Sequence, residues 1–121
     1  MESIPFYFDS VHGGLSSCAG LLHVTREGLR CEYRVNLGGL GLKTDAKEAS
    51  VALDEIESIE FKRGWFRGKA VIRPKSLKLL DRFPTSGDDS IVLYFKRKHR
   101  SLAGYLMSEI ALKLFQSRLD F

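Results

Sequence analysis

From Leu29 to Val35 the chain runs Leu-Arg-Cys-Glu-Tyr-Arg-Val, apolar and charged residues alternating without a break. A period of two belongs to a β-strand with one face in a core and the other in water, so Leu29, Cys31, Tyr33 and Val35 point inward. The preceding stretch, Gly20 to Thr25, is also strand-like. Between them Arg26-Glu27-Gly28 supplies a short turn whose glycine tolerates positive φ, which makes the pair a hairpin.

Further along, Ser50 to Leu53 is a short strand and Asp54-Glu55 a turn. Ile56 to Lys62 is a strand with Ile59 and Phe61 inward. Arg63-Gly64-Trp65-Phe66-Arg67-Gly68 is a glycine-bracketed tip leading into Lys69 to Arg73, a second hairpin that Pro74 ends because it has no N–H for a ladder. Ser76 to Arg82 alternates weakly, with Leu77 and Leu79 on one side, and Pro84 to Asp89 is rich in turn residues. Ile91, Leu93 and Phe95 face one way, Val92 and Tyr94 the other, a strand apolar on both sides and therefore central or covered. The glycine-containing segment Leu37 to Ala49 is a loop with a short strand at Leu40 to Lys43. From Ser101 the period changes: Leu102, Leu106, Ile110 and Leu114 recur every four residues, widened by Ala103, Tyr105 and Met107, with Glu109, Lys113 and Arg118 opposite. This predicts an amphipathic helix of four to five turns with Ser101 as its N-cap. The expected fold is α+β and mostly β: a strongly bent antiparallel sheet or partly open barrel of about seven strands, capped by one C-terminal amphipathic helix.

Three passages carry a resemblance: Leu22-His23-Val24-Thr25-Arg26-Glu27-Gly28-Leu29, then Val51-Ala52-Leu53-Asp54-Glu55-Ile56-Glu57-Ser58-Ile59, and the closing Ile91-Val92-Leu93-Tyr94-Phe95 running on into Leu102-Ala103-Gly104-Tyr105-Leu106. Over residues 20–116 the chain resembles pleckstrin-homology-like (PH-like) domains, particularly the bacterial and GRAM-type versions. The resemblance rests on hydrophobic rhythm and a Leu-Asp-Glu-Ile turn. It implies a seven-stranded bent sheet sealed by the helix, and a domain that binds lipids, peptides or another copy of itself. Residues 1–19 fall outside the pattern and are taken as an N-terminal extension to a single domain at 20–121.

A chain of 121 residues is sized for one domain that folds without a metal or disulfide staple. Its two cysteines, Cys18 and Cys31, follow a start that lacks the basic-then-apolar pattern of a secretion signal, so free thiols and a cytoplasmic location are expected, at the membrane only peripherally. Net charge is unevenly spread. Residues 1–61 hold five Lys/Arg against ten Asp/Glu, and residues 62–100 hold twelve against three. If the fold gathers the second stretch, the molecule has an acidic and a basic pole.

Enzymatic chemistry finds little support in the residues. Gly38-Gly39-Leu40-Gly41-Leu42-Lys43-Thr44 departs from a phosphate-binding loop, because Leu42 separates glycine from lysine and no helix follows. His12, Cys18, His23 and Cys31 lack the close ligand pairs of a zinc site. The histidines lie in separate segments with no nucleophile elbow. The expectation is a protein with no catalytic residue, cofactor or metal.

Two features point to binding. Trp65 and Phe66, flanked by Arg63, Arg67 and Lys69, place large aromatics among cations at a hairpin tip, which suits a membrane interface or a protein hot spot unless Trp65 folds back over the barrel mouth or the N-terminal extension. Lys96-Arg97-Lys98-His99-Arg100 is a basic run at a helix start, where cations oppose the helix dipole and so do not serve helix stability. The expected function is a non-catalytic binding or assembly module acting through protein–protein contacts, including self-association. The alternative is peripheral binding to anionic lipid head groups through Arg63, Trp65, Phe66, Arg67, Lys69, Lys96, Lys98 and Arg100. Nucleic-acid binding ranks third.

Overall fold

The computed structural model describes residues 2–11, 16–37, 42–43, 46–84 and 89–119. Eight strands form one antiparallel sheet: β1 (Glu2–Val11), β2 (Ser16–Val24), β3 (Gly28–Leu37), β4 (Leu42–Lys43), β5 (Lys47–Ala52), β6 (Ile56–Arg63), β7 (Arg67–Pro74) and β8 (Ile91–Lys96). A 20-residue helix, α1 (Arg100–Leu119), follows. The order across the sheet is β4-β3-β2-β1-β8-β7-β6, and β5 also pairs with β3. The sheet is open, and its two halves meet at β1 and β8 through the pair Tyr7↔Tyr94.

The alternation at Leu29–Val35 works as expected. Leu29, Cys31, Tyr33 and Val35 are all buried, and β3 pairs with β2 from Ser17↔Asn36 to Val24↔Leu29. Gly28, at φ +150°, turns the chain between them, and its missing side chain leaves room for the Val51 carbonyl. Ile91, Leu93 and Phe95 are fully buried on central strand β8, and both cysteines are free and buried.

Within the stretch taken as an N-terminal extension, residues 2–11 and 16–19 belong to the sheet. Glu2–Val11 is a full strand in the middle of the sheet, paired with β2 from Glu2↔Val24 to Phe8↔Cys18, and it buries Ile4, Phe6 and Phe8. Ile4, Phe6 and Phe8 alternate with period two, and Pro5 between them has no N–H for a ladder. It is tolerated because β8 meets β1 at Tyr7, beyond the proline.

Three further expectations change. Leu77–Arg82 is a 3₁₀ helix started by the Ser76 hydroxyl, which accepts from the Lys78 N–H; Leu79 and Leu80 are buried while Leu77 is exposed. Three residues per turn puts adjacent leucines inward, which a weak two-residue alternation does not reveal. On α1 the buried side chains are Ala103, Leu106, Met107, Ile110 and Leu114, whereas Leu102 and Tyr105 face outward. A spacing of four drifts around a 3.6-residue helix, so the first member of the stripe leaves the core. The helix starts at Arg100, after a 3₁₀ turn at Arg97–His99, rather than behind a Ser101 cap. The short strand of the long loop is Leu42–Lys43; Gly38 to Gly41, His12 and most of the Pro84–Asp89 turn lie outside the described residues.

α1 covers the end of the sheet, packing on β6 with further contacts to β7, β8 and β1. Phe61 is the wedge between them. A Cβ on Gly68 would come 2.7 Å from the Phe61 ring and one on Gly104 3.2 Å, so these two glycines make room for that ring between strand and helix. The helix is tied at both ends by arginine. Arg118 donates to the Glu57 carbonyl at the start of β6, and Arg100 donates to backbone carbonyls at its far end.

Candidate functional site

The β6–β7 hairpin turns at Gly64-Trp65-Phe66, closed by the Gly64 N–H donating to the Arg67 carbonyl at 2.9 Å. A Cβ on Gly64 would come 2.8 Å from the Arg67 carbonyl oxygen, so the turn is tight at that position. The two aromatics project into solvent: Trp65 is 69% exposed and Phe66 80%. Trp65 does not fold back over the sheet.

The second cationic segment reaches the tip through the fold. β7 and β8 pair at Arg67↔Lys96 and Lys69↔Tyr94, and the tight turn after Lys96 delivers Arg97, Lys98 and Arg100 beside the loop. Arg100 donates to the Gly64 carbonyl at 2.5 Å, to the Trp65 carbonyl at 3.0 Å and to the Arg97 carbonyl at 3.2 Å. The Arg97 guanidinium lies 4.8 Å from the Trp65 ring centroid and props that ring outward. Desolvation first, then the neighbouring Arg63 and Arg97, lowers the Arg100 pKa from its ordinary value, a sign of crowded positive charge.

Across the outer face of the sheet, cations stand opposite cations. Lys62 faces Lys69, and Arg67 faces Lys96. Like charges directly across a ladder destabilise a sheet, so these pairs do not serve folding. Arg67 also lies 3.9 Å over the Tyr94 ring, which stacks on Tyr7 at 5.7 Å. In all, residues 62–69 and 96–100 hold eight Lys/Arg and no Asp/Glu.

Of the residues singled out from sequence, Trp65 and Phe66 form the turn, Arg63, Arg67, Lys69 and Lys96 stand on the strand ends leading to it, and Lys98 and Arg100 follow on the turn into α1. Trp65 and Phe66 stand exposed at the hairpin apex, and Arg67 lies over the Tyr94 ring. Arg100 holds the loop carbonyls. Sequence reasoning missed Arg97 as a partner of Trp65, and Lys62, whose alternation with Glu60 and register with Lys69 was the available signal. It also missed the Tyr7–Tyr94 stack, which required knowing that β1 is a strand. Cations from both halves of the basic stretch meet at this end, and among the described residues two acids of the first half are paired with arginine. At the other end of β6, Glu55 is paired with Arg82 at 3.1 Å, and Arg30 is paired with Glu48 at 3.2 Å.

Elsewhere, Ser3 Oγ lies 2.7 Å from His23 Nδ1, and His23 Nε2 lies 3.3 Å from Glu32 Oε1, on the outer face of β1–β3. Hollows of about 400 Å³ beside Gly20 and Tyr33, and of about 450 Å³ beside Gly28 and Arg82, are lined by neither Ser3 nor His23. The chain of bonds is a tie across three strands. Among the described residues no group of three His, Cys, Asp or Glu is placed to hold a metal, and no helix is long and apolar enough to cross a membrane.

No family model, curated protein or solved structure matches the chain. The tip therefore has to speak through its own geometry.

Proposed function

We propose that this protein is a non-catalytic, peripheral membrane-binding domain that docks on anionic lipid head groups through the β6–β7 tip. The observation that carries the reading is the pair Trp65 and Phe66, exposed at the apex of a braced hairpin beside cations from three strand ends and a helix start. Aromatic rings at the level of the head groups gain apolar burial, while cations around them meet phosphates. Each Lys or Arg near an anionic surface contributes about 1 kcal/mol, so several acting together outweigh the cost of orienting the molecule. The strand order and the single C-terminal helix support the likeness to PH-like domains, a class that includes lipid binders.

Flotation with vesicles tests the proposal. The protein should rise with vesicles containing phosphatidylserine and stay down with phosphatidylcholine alone. Trp65→Ala and Phe66→Ala should each weaken partitioning roughly tenfold, the equivalent of about 1.4 kcal/mol of apolar transfer. Binding that ignores lipid charge, or survives the loss of both aromatics, removes the proposal.

Assembly through protein–protein contacts draws support from a different surface. On the outward side of α1, Tyr105, Leu112, Phe115 and Leu119 are each more than half exposed.

A further inference from the structure

The outward residues of α1 follow a heptad. Tyr105, Ser108, Leu112, Phe115 and Leu119 recur at spacings of three and four and form one seam along the helix. The seam lies opposite the buried stripe of Ala103, Leu106, Ile110 and Leu114. The helix is thus apolar on two sides, one used by the sheet and one facing water. An exposed apolar strip of this extent costs solubility and marks an interaction surface.

Beside the seam runs a groove of about 390 Å³ between β6 and α1, floored by Ile59 and Phe61 and edged by the small residues Gly104, Ser108 and Ala111. The same face therefore carries large side chains that project and a hollow with small walls beside them. A two-fold interface needs this self-complementarity, since each copy supplies both knob and hole.

We infer that the outer face of α1 is a homodimer interface, in which Leu112 and Phe115 of one copy enter the groove beside Ser108 and Ala111 of a second copy of this chain. The inference rests on the assembly reading and is independent of the membrane reading. The area is sufficient: four side chains at more than half exposure bring roughly 500 Å² per copy, about 1,000 Å² in total, which is the lower end of specific interfaces. Charge fixes the relative direction of the helices. Arg63 and Arg100 line the groove at the helix start, so a parallel pair would set two basic tips against each other. An antiparallel pair separates the tips and brings each helix C-terminus, with its negative dipole end, to the other copy's cations.

Sedimentation equilibrium of the full chain over a range of concentrations tests this. The wild-type chain should show a reversible monomer–dimer equilibrium, and Leu112→Asp and Ser108→Arg should each weaken it at least tenfold while their circular dichroism and melting temperature stay at the wild-type values. A wild-type chain that stays monomeric at all concentrations, or a dimer indifferent to both substitutions, overturns the homodimer. If that monomer is also recovered from lysate without any companion protein, the wider assembly reading falls with it. Loss of vesicle flotation in Leu112→Asp, with the wild-type chain monomeric, would assign the strip to lipid and equally overturn the inference.

Discussion

Gly20 sits on β2 with no room for even one methyl group: a Cβ there would meet the Glu32 carbonyl oxygen on β3 at 1.9 Å and the Tyr33 Cα at 2.6 Å. Both obstacles are backbone, so neither moves without breaking the ladder. Gly20→Ala should lower stability by about 2–3 kcal/mol, in the range of overpacking in a tight site, and a thermal melt reads it directly. The two buried thiols make a second prediction. Burial pushes Cys18 up to about 11, against a lowering by Lys47, and Cys31 up to about 12, with Cys18 adding to the rise. The native state therefore holds its thiol protons where the unfolded chain has released them. Stability should be fully present below pH 9 and fall by about 1.4 kcal/mol per thiol per pH unit between pH 9 and the raised values. Urea denaturation at pH 8 and pH 10 would check this, and Cys31→Ala should flatten the slope. Cys31 was readable as a core residue from its place in an unbroken alternation. Gly20 was not, since nothing local in Ala-Gly-Leu says how closely the next strand passes.

At the scale of elements, the tip depends on the helix. β6 and β7 bring the aromatics to an apex, but Arg100 on α1 holds the loop carbonyls, and Phe61 seats the hairpin on the helix between Gly68 and Gly104. Arg100→Gln and Lys98→Gln each remove one cation from the same region. Lys98→Gln should weaken vesicle binding by about 1 kcal/mol, roughly fivefold. Arg100→Gln should weaken it by more, because it also frees Gly64 and Trp65 to move. Equal losses in the flotation assay would show that Arg100 acts only through its charge. The hairpins at Gly28 and at the Trp65 tip were legible because glycine and strand periods bracket each turn. The 3₁₀ helix at Leu77–Arg82 and the strand at Glu2–Val11 were not: the first places adjacent leucines inward, and the second carries a proline whose tolerance depends on which neighbour lies beside it.

Seen whole, the molecule gathers cations beside the tip, while Arg82, from the same stretch of chain, is paired at the other end of β6. Arg82 bonds both oxygens of Glu55. The Ala52 N–H and Arg82 together hold that carboxyl below its ordinary range. The sum of charges along the chain announced a basic stretch. It did not announce that Arg82 would leave the stretch for an acid in the first half, because that pairing spans β5, β6 and the 3₁₀ helix. Trp65 at the tip is the chain's single tryptophan, so its fluorescence reports on that site alone. Titrating the protein with phosphatidylserine-containing vesicles should shift Trp65 emission to shorter wavelength and expose it to quenching by brominated acyl chains, both effects reversing as salt is raised. Emission that stays at its value in buffer, with no quenching at any anionic lipid concentration, would contradict the account.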